Sequence, residues 1–130
     1  MNIGETPIRG RHDDLTQQVI GIFFDVYNEL GPGFVESVYR EAMRLALTQA
    51  RLIVNGVVLI ELKTCEALSR EHEAQTLNYL KATEIEVALL MNFGPVARFK
   101  CYTMDNTRKR FVPKSVQIAV KPLAETEVAR

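Results

Sequence analysis

The pairing with the most chemical content is Glu61-Leu62-Lys63, set in the otherwise apolar run Val57 to Lys63. If the run is a strand, side chains two apart share a face at a spacing of roughly 7 Å, so carboxylate and ammonium project together. A carboxylate buried there needs a cation, either Lys63 or a bound metal, because burial unpaired is costly. The pair suits metal-assisted phosphodiester hydrolysis, with the carboxylate holding Mg²⁺ and the ammonium orienting the attacking water or stabilising charge on the phosphorane. An ordinary strand ion pair explains the same residues without chemistry.

Two further groups stand beside it. His72, Gln75 and Tyr79 fall at i, i+3 and i+7, which on a helix makes one polar stripe. Gln75 and Tyr79 could reach a substrate phosphate, or the stripe is a solvated face. In Gly33-Phe34-Val35-Glu36-Ser37-Val38-Tyr39, Glu36 suits the positive end of a helix dipole. Tyr39, a turn later, reads as a core aromatic whose hydroxyl reaches the surface.

The elements that must position these residues follow from periodicity. Asp13 or Asp14 can cap a helix carrying Leu15, Val19, Phe23, Val26, Tyr27 and Leu30 on one face. Gly31-Pro32-Gly33 breaks it, and a second helix is expected from about Phe34, with Val38, Ala42, Leu45 and Ala46 as its stripe, fading at Thr48 to Ala50. Leu52-Ile53-Val54, Asn55-Gly56 and Val57 to Lys63 read as a hairpin, since Asn-Gly tolerates positive φ. Ser69 caps a third helix reaching about Ala82. Strands are expected at Val87 to Phe93, at Ala97 to Thr103 and, more weakly, at Val116 to Val120. The order helix-helix-hairpin-helix-strand-strand implies an α/β (α+β) domain whose central mixed sheet is covered by helices on both sides. Residues 1–12 and 122–130 read as a flexible lead and tail to a single domain spanning 1–130.

Composition excludes several classes. At 130 residues, 47% hydrophobic and 25% charged, the chain has the size and make-up of one globular domain. Cys65 and Cys101 lie far apart without metal-ligand spacing, so neither a disulfide framework nor structural zinc is expected, and a reducing cytoplasm fits. No apolar run approaches the roughly 20 residues needed to cross a bilayer. The formal charge is zero but uneven: residues 98–121 carry seven basic side chains against Asp105 alone. Arg98, Lys100, Arg108, Lys109, Arg110 and Lys114, interleaved with Phe99, Tyr102 and Phe111, would suit phosphate contacts beside base stacking. They would equally serve as edge protection on a solvated hairpin.

Together these motifs resemble a family. GFVESVY matches the signature of the GxxExxY proteins, and NELGPGFVESVYREA, VVLIELKTCEAL, HEAQTLNYLKAT and VALLMNFG are similar to that family's segments in the same order. The family in turn resembles the PD-(D/E)XK nucleases. By that resemblance Glu61 would be a metal ligand, Lys63 the catalytic lysine, Gln75 and Tyr79 accessory active-site groups, and Glu36 a first-helix acid facing the same site and able to contribute to a weak Mg²⁺ site. Gly33 and Tyr39 would complete the motif.

The resemblance also exposes a departure. Family members place a longer stretch between the second helix and the E-x-K strand, ending in a metal-binding Asp. Here the fold is shortened by about two strands, Arg51 stands where that Asp is expected, and no acid lies between Glu41 and Glu61. Two unit charges at about 4 Å interact by roughly 4 kcal/mol at an effective dielectric near 20, so an arginine facing a divalent ion would badly weaken metal binding. The expectation is a nucleic-acid-interacting, nuclease-like domain with impaired or lost hydrolysis. The alternatives are an active Mg²⁺-dependent nuclease using Glu61 and Lys63, and an interaction module. The missing strands would leave a sheet edge that a second copy or another chain could complete.

Overall fold

The computed structural model describes residues 13–52 and 54–109. The elements run α1 (Asp13–Leu30), α2 (Glu36–Gln49), β1 (Val58–Lys63), α3 (Arg70–Ala82), β2 (Val87–Phe93) and β3 (Ala97–Thr103), followed by a short 3₁₀ turn at Asn106–Arg108. The expected α+β architecture is present: three helices and one mixed sheet of order β1-β2-β3. β1 and β2 are parallel, joined through α3, and β2 and β3 are antiparallel, joined by the turn at Gly94-Pro95. No helix among the described residues is long and apolar enough to cross a membrane. The expected lead, tail and strand at Val116 to Val120 lie outside the described residues.

The period-two alternation of each strand sorts the core into two layers. Val58, Ile60 and Leu62 of β1 and Val87, Leu89, Met91 and Phe93 of β2 face α1 and α2, meeting Val19, Phe23, Tyr39, Met43 and Leu47. The Phe23 ring meets Phe93 edge-on at 4.8 Å, and Tyr39 stacks on Phe93 at 4.3 Å. On the other face Leu59 and Ala88 pack with Leu80 of α3 and Ile85. Glu61 and Lys63 share the face of Leu59 and therefore lie on the α3 side.

One local expectation is corrected. Leu52 and Val54 are not in a strand, and Asn55-Gly56 opens a turn into β1 rather than closing a hairpin. Gly56 does adopt positive φ (78°), but both the Val57 and Val58 N–H groups donate to the carbonyl of Val54. The upstream backbone is occupied in stopping α2: Arg51 N–H donates to Thr48 O (3.0 Å) and Leu52 N–H to Leu47 O (3.1 Å). This is the Schellman pattern, with Arg51 in the left-handed position (φ 59°) that usually takes glycine. β1 consequently takes its partner from β2, beyond α3.

Candidate active site

Glu61 is the one charged side chain in the buried set of the described residues, at 8% exposure on the α3 face of β1. Its neighbours on that face follow from the sheet register. Glu61 is level with Leu90 and Lys100, and Lys63 with Asn92 and Arg98. No strand among the described residues pairs with the outer edge of β1. Glu36, the first residue of α2, and Arg40, one turn later, lie close enough for their charges to act on Glu61. Burial pushes the Glu61 carboxyl above the usual carboxylate range and the charge of Glu36 adds to that shift, while Lys63 and Arg40 oppose it.

The charges that act on Glu61 are those of Lys63, Glu36 and Arg40. The Arg40 guanidinium donates to Glu36 Oε2 at 2.6 Å, while its Nε is buried without an acceptor. Arg51 is the correction. It is exposed, beyond the far end of α2, where a rise of about 1.5 Å per residue puts it roughly 20 Å along the helix from Glu36. The guanidinium whose charge reaches Glu61 is that of Arg40.

On α3, Glu73 points towards β3, where its carboxylate takes the ammonium of Lys100 and the hydroxyl of Tyr102 (2.8 Å). Gln75 is exposed and its Nε2 donates to Tyr79 Oη at 3.2 Å, while the Tyr79 side chain packs against the small cluster of Leu59, Leu80, Ile85 and Ala88. His72 leaves the expected stripe. Its Nδ1 accepts the Ser69 N–H (3.1 Å) while Ser69 Oγ accepts the His72 N–H (3.2 Å), so the imidazole closes the cap of α3.

The three named positions of the GxxExxY motif have separate tasks. Gly33 supplies a φ of 108° that L side chains rarely adopt. Tyr39 is fully buried, and its hydroxyl donates to Gly31 O (2.5 Å) and accepts the Phe34 N–H (3.3 Å), tying down the loop between α1 and α2. Its hydroxyl therefore holds the loop instead of reaching the surface. Glu36, at the start of α2, is partly exposed and accepts from Arg40 one turn later.

The basic segment is only partly available. Arg98 and Arg108 are exposed. Lys100 is paired with Glu73, and the Lys109 ammonium donates to Thr83 O and Ile85 O (2.7 Å each). Phe99 packs in the core against Phe24 (5.9 Å), and Tyr102 is held by Glu73, so neither ring offers the open stacking face expected of it. Arg110, Phe111 and Lys114 lie outside the described residues.

Asn92 is the positioning residue that motif reading missed. Its side chain spans the backbone of Cys65, accepting the N–H at 3.0 Å and donating to the carbonyl at 2.9 Å, which fixes the chain just past Lys63. Gly94 allows the approach: a Cβ there would sit 2.2 Å from Cys65 O. Tyr27 Oη in turn bonds Gly94 O (2.7 Å) and Pro95 O (2.8 Å), linking α1 to the same corner. The signal was present as one amide inside an apolar strand, because a buried Asn must find partners.

Mg²⁺ asks for near-octahedral oxygen ligation, through one or two carboxylates together with water or phosphate oxygens. The acids gathered here are Glu36 and Glu61, and Glu36 is already held by Arg40. Among the described residues no group of three or more His, Cys, Asp or Glu could hold a metal ion. Two carboxylates balanced by a guanidinium and an ammonium form a formally neutral cluster, a donor set that does not fit a resident divalent ion.

A family model described as the PD-(D/E)XK nuclease superfamily matches residues 13–54 and 48–103, taking in all three helices and all three strands. No curated protein and no solved structure matches the chain.

Proposed function

The chain belongs to the PD-(D/E)XK nuclease superfamily, and on that premise we propose that it is a shortened GxxExxY-type domain that engages nucleic acid while its metal-dependent phosphodiester hydrolysis is impaired or lost. The observation that carries this reading is the company of Glu61. The charges of Lys63 and Glu36 act on it, and Arg40, bonded to Glu36, adds a positive charge among them. The two matched stretches meet at residues 48–54, between α2 and β1, which supports shortening at that point. Exposed Arg98, at the end of the row Lys63-Asn92-Arg98, and exposed Arg108 give a phosphate backbone its first contacts.

The test pairs binding with cleavage. Wild-type protein should bind single- or double-stranded oligonucleotides with affinity that falls steeply with salt and weakens in Arg98→Ala/Arg108→Ala, while plasmid remains uncut in Mg²⁺ or Mn²⁺. Plasmid digestion that disappears in Glu61→Ala and Lys63→Ala would establish the active nuclease instead. Absence of binding at low salt would remove the nucleic-acid reading.

A second reading is favoured by one observation, the outer edge of β1 that no described strand covers. A second copy adding a strand there would make a homodimer. Light scattering after size exclusion that reports a monomer at micromolar concentration would dismiss it.

A further inference from the structure

We propose that the exposed apolar ledge at the start of α2, made by Phe34, Val35 and Val38, is a stacking platform for unpaired nucleobases, so that the strand this domain engages is single-stranded. The inference rests on the nucleic-acid reading above and names the strand type that reading leaves open.

Three observations carry it. Among the large apolar side chains exposed in the described residues, three fall within residues 34–38: Phe34 at 45%, Val35 at 68% and Val38 at 38%. Scattered singly such residues need no explanation, but gathered they make a surface that meets a partner. Val35 also holds the N-cap position of α2 and makes no side-chain cap bond, where Ser, Thr, Asp or Asn would serve the helix better. A local rule given up without structural return marks a position that serves something else.

The ledge is braced from behind. Phe34 N–H donates to Tyr39 Oη (3.3 Å), its ring meets the Tyr39 ring edge-on at 5.9 Å, and Tyr39 stacks at 4.3 Å on Phe93, the last residue of β2. The residue before Phe93 is Asn92, in the row Lys63-Asn92-Arg98 across the sheet. The ledge and two cations therefore lie at the same end of the fold. Neither Lys63 nor Arg98 has an acid within ion-pair distance among the described residues, which leaves both for a phosphate backbone. Glu36, inside the ledge, is bonded to Arg40 at 2.6 Å, which offsets the acid a phosphate would meet there. An oligonucleotide carries the two chemistries this surface offers, a charged backbone and flat apolar bases. In a duplex each base face is already stacked on its neighbours, so only an unpaired strand can bring a base to Phe34.

The experiment measures fluorescence anisotropy of a labelled oligothymidylate and of a labelled blunt duplex of equal length with the full chain at low salt. Wild type should prefer the single strand. Phe34→Ala should weaken single-strand binding by about fivefold or more, the lower end of what one base–aromatic stack contributes, with the salt slope unchanged, whereas Arg98→Ala should reduce that slope. Phe34→Trp should keep the affinity, and because the chain has no other tryptophan its emission should be quenched by unlabelled oligothymidylate. If Phe34→Ala does not fold, that quenching decides. Equal affinity for both probes, folded Phe34→Ala binding as wild type does, or unquenched emission overturns the platform while leaving the nucleic-acid reading in place. Binding to neither probe removes that reading and the platform with it. Light scattering that finds a wild-type dimer lost in Phe34→Ala assigns the ledge to a second copy and likewise overturns the proposal.

Discussion

Replacing Arg51 with glycine should stabilise the protein, and the size of the gain follows from the backbone. A non-glycine residue in the left-handed region carries a strain of about 1–2 kcal/mol, and Arg51 sits there at φ 59°. Glycine removes that strain but loses about 0.5–1 kcal/mol through the greater freedom of the unfolded chain, leaving a net gain of about 0.5–1 kcal/mol. The hydrogen bonds that stop α2 are backbone bonds, Arg51 N–H to Thr48 O and Leu52 N–H to Leu47 O, so the substitution leaves them in place. Urea denaturation with an unchanged m-value would read the gain as a higher midpoint. Arg51→Asp supplies the companion measurement. It introduces the acid that the nuclease pattern would place there, yet this position is exposed and beyond the far end of α2 from Glu36, so Mn²⁺ affinity should not rise. Destabilisation by Arg51→Gly, or metal binding gained by Arg51→Asp, would refute the assignment of Arg51 as a helix stop.

Other substitutions test other parts of the same account. Tyr39→Phe keeps the stack on Phe93 but strips a partner from Gly31 O and Phe34 N–H, so denaturant melts should show a loss of about 1–3 kcal/mol. Glu36→Gln, in the same motif but partly exposed, should cost less than about 1 kcal/mol. For Glu61 the folded-state pKa lies above the unfolded value, so the folded state holds more protons and stability falls as pH rises from the usual carboxylate range through the raised value. Glu61→Gln should abolish that fall and be more stable than wild type above it, as thermal melts at several pH values would show. Glu73 has the opposite sign. Its bonds from Lys100 and Tyr102 lower its pKa, so its contribution is complete at neutral pH and disappears as pH drops through the lowered value, a slope that Glu73→Gln should flatten. Gly94→Ala drives a Cβ into Cys65 O and should destabilise by on the order of 1–3 kcal/mol or more in the same melts.

Most of the architecture was legible because it is written in local periodicity. The buried positions Val19, Phe23 and Val26 of α1 and the wholly buried β2 follow from spacing alone. Ser69 likewise announces the start of α3. The hairpin reading failed at Asn55-Gly56 because a turn signal fixes a bend and not the partner of the strand that follows it. The partner was decided some thirty positions later, in the pairing of Val58 with Val87. Glu61, Lys63 and Glu36 are expected to share one site only through the family pattern. The charge effect of Arg40 on Glu61 could not be read there, since it depends on how α2 packs against β1 in the folded chain. The same holds for Lys100, whose charge looked available in the sequence and is spent on Glu73 across the α3 layer.

The mixed connectivity of the sheet also has a kinetic consequence. β2 and β3 are neighbours along the chain and can zip together from the Gly94-Pro95 turn, whereas β1 can join only after the loop through α3 has closed. The strand bearing Glu61 is then the last to be ordered during folding and, with a strand neighbour on one side only among the described residues, as β3 also has, should open before the central β2 in sub-global fluctuations. Amide hydrogen exchange should run faster along β1 than along β2, and any ligand that bridges α2 to β1 would slow it there before it altered the global melting point.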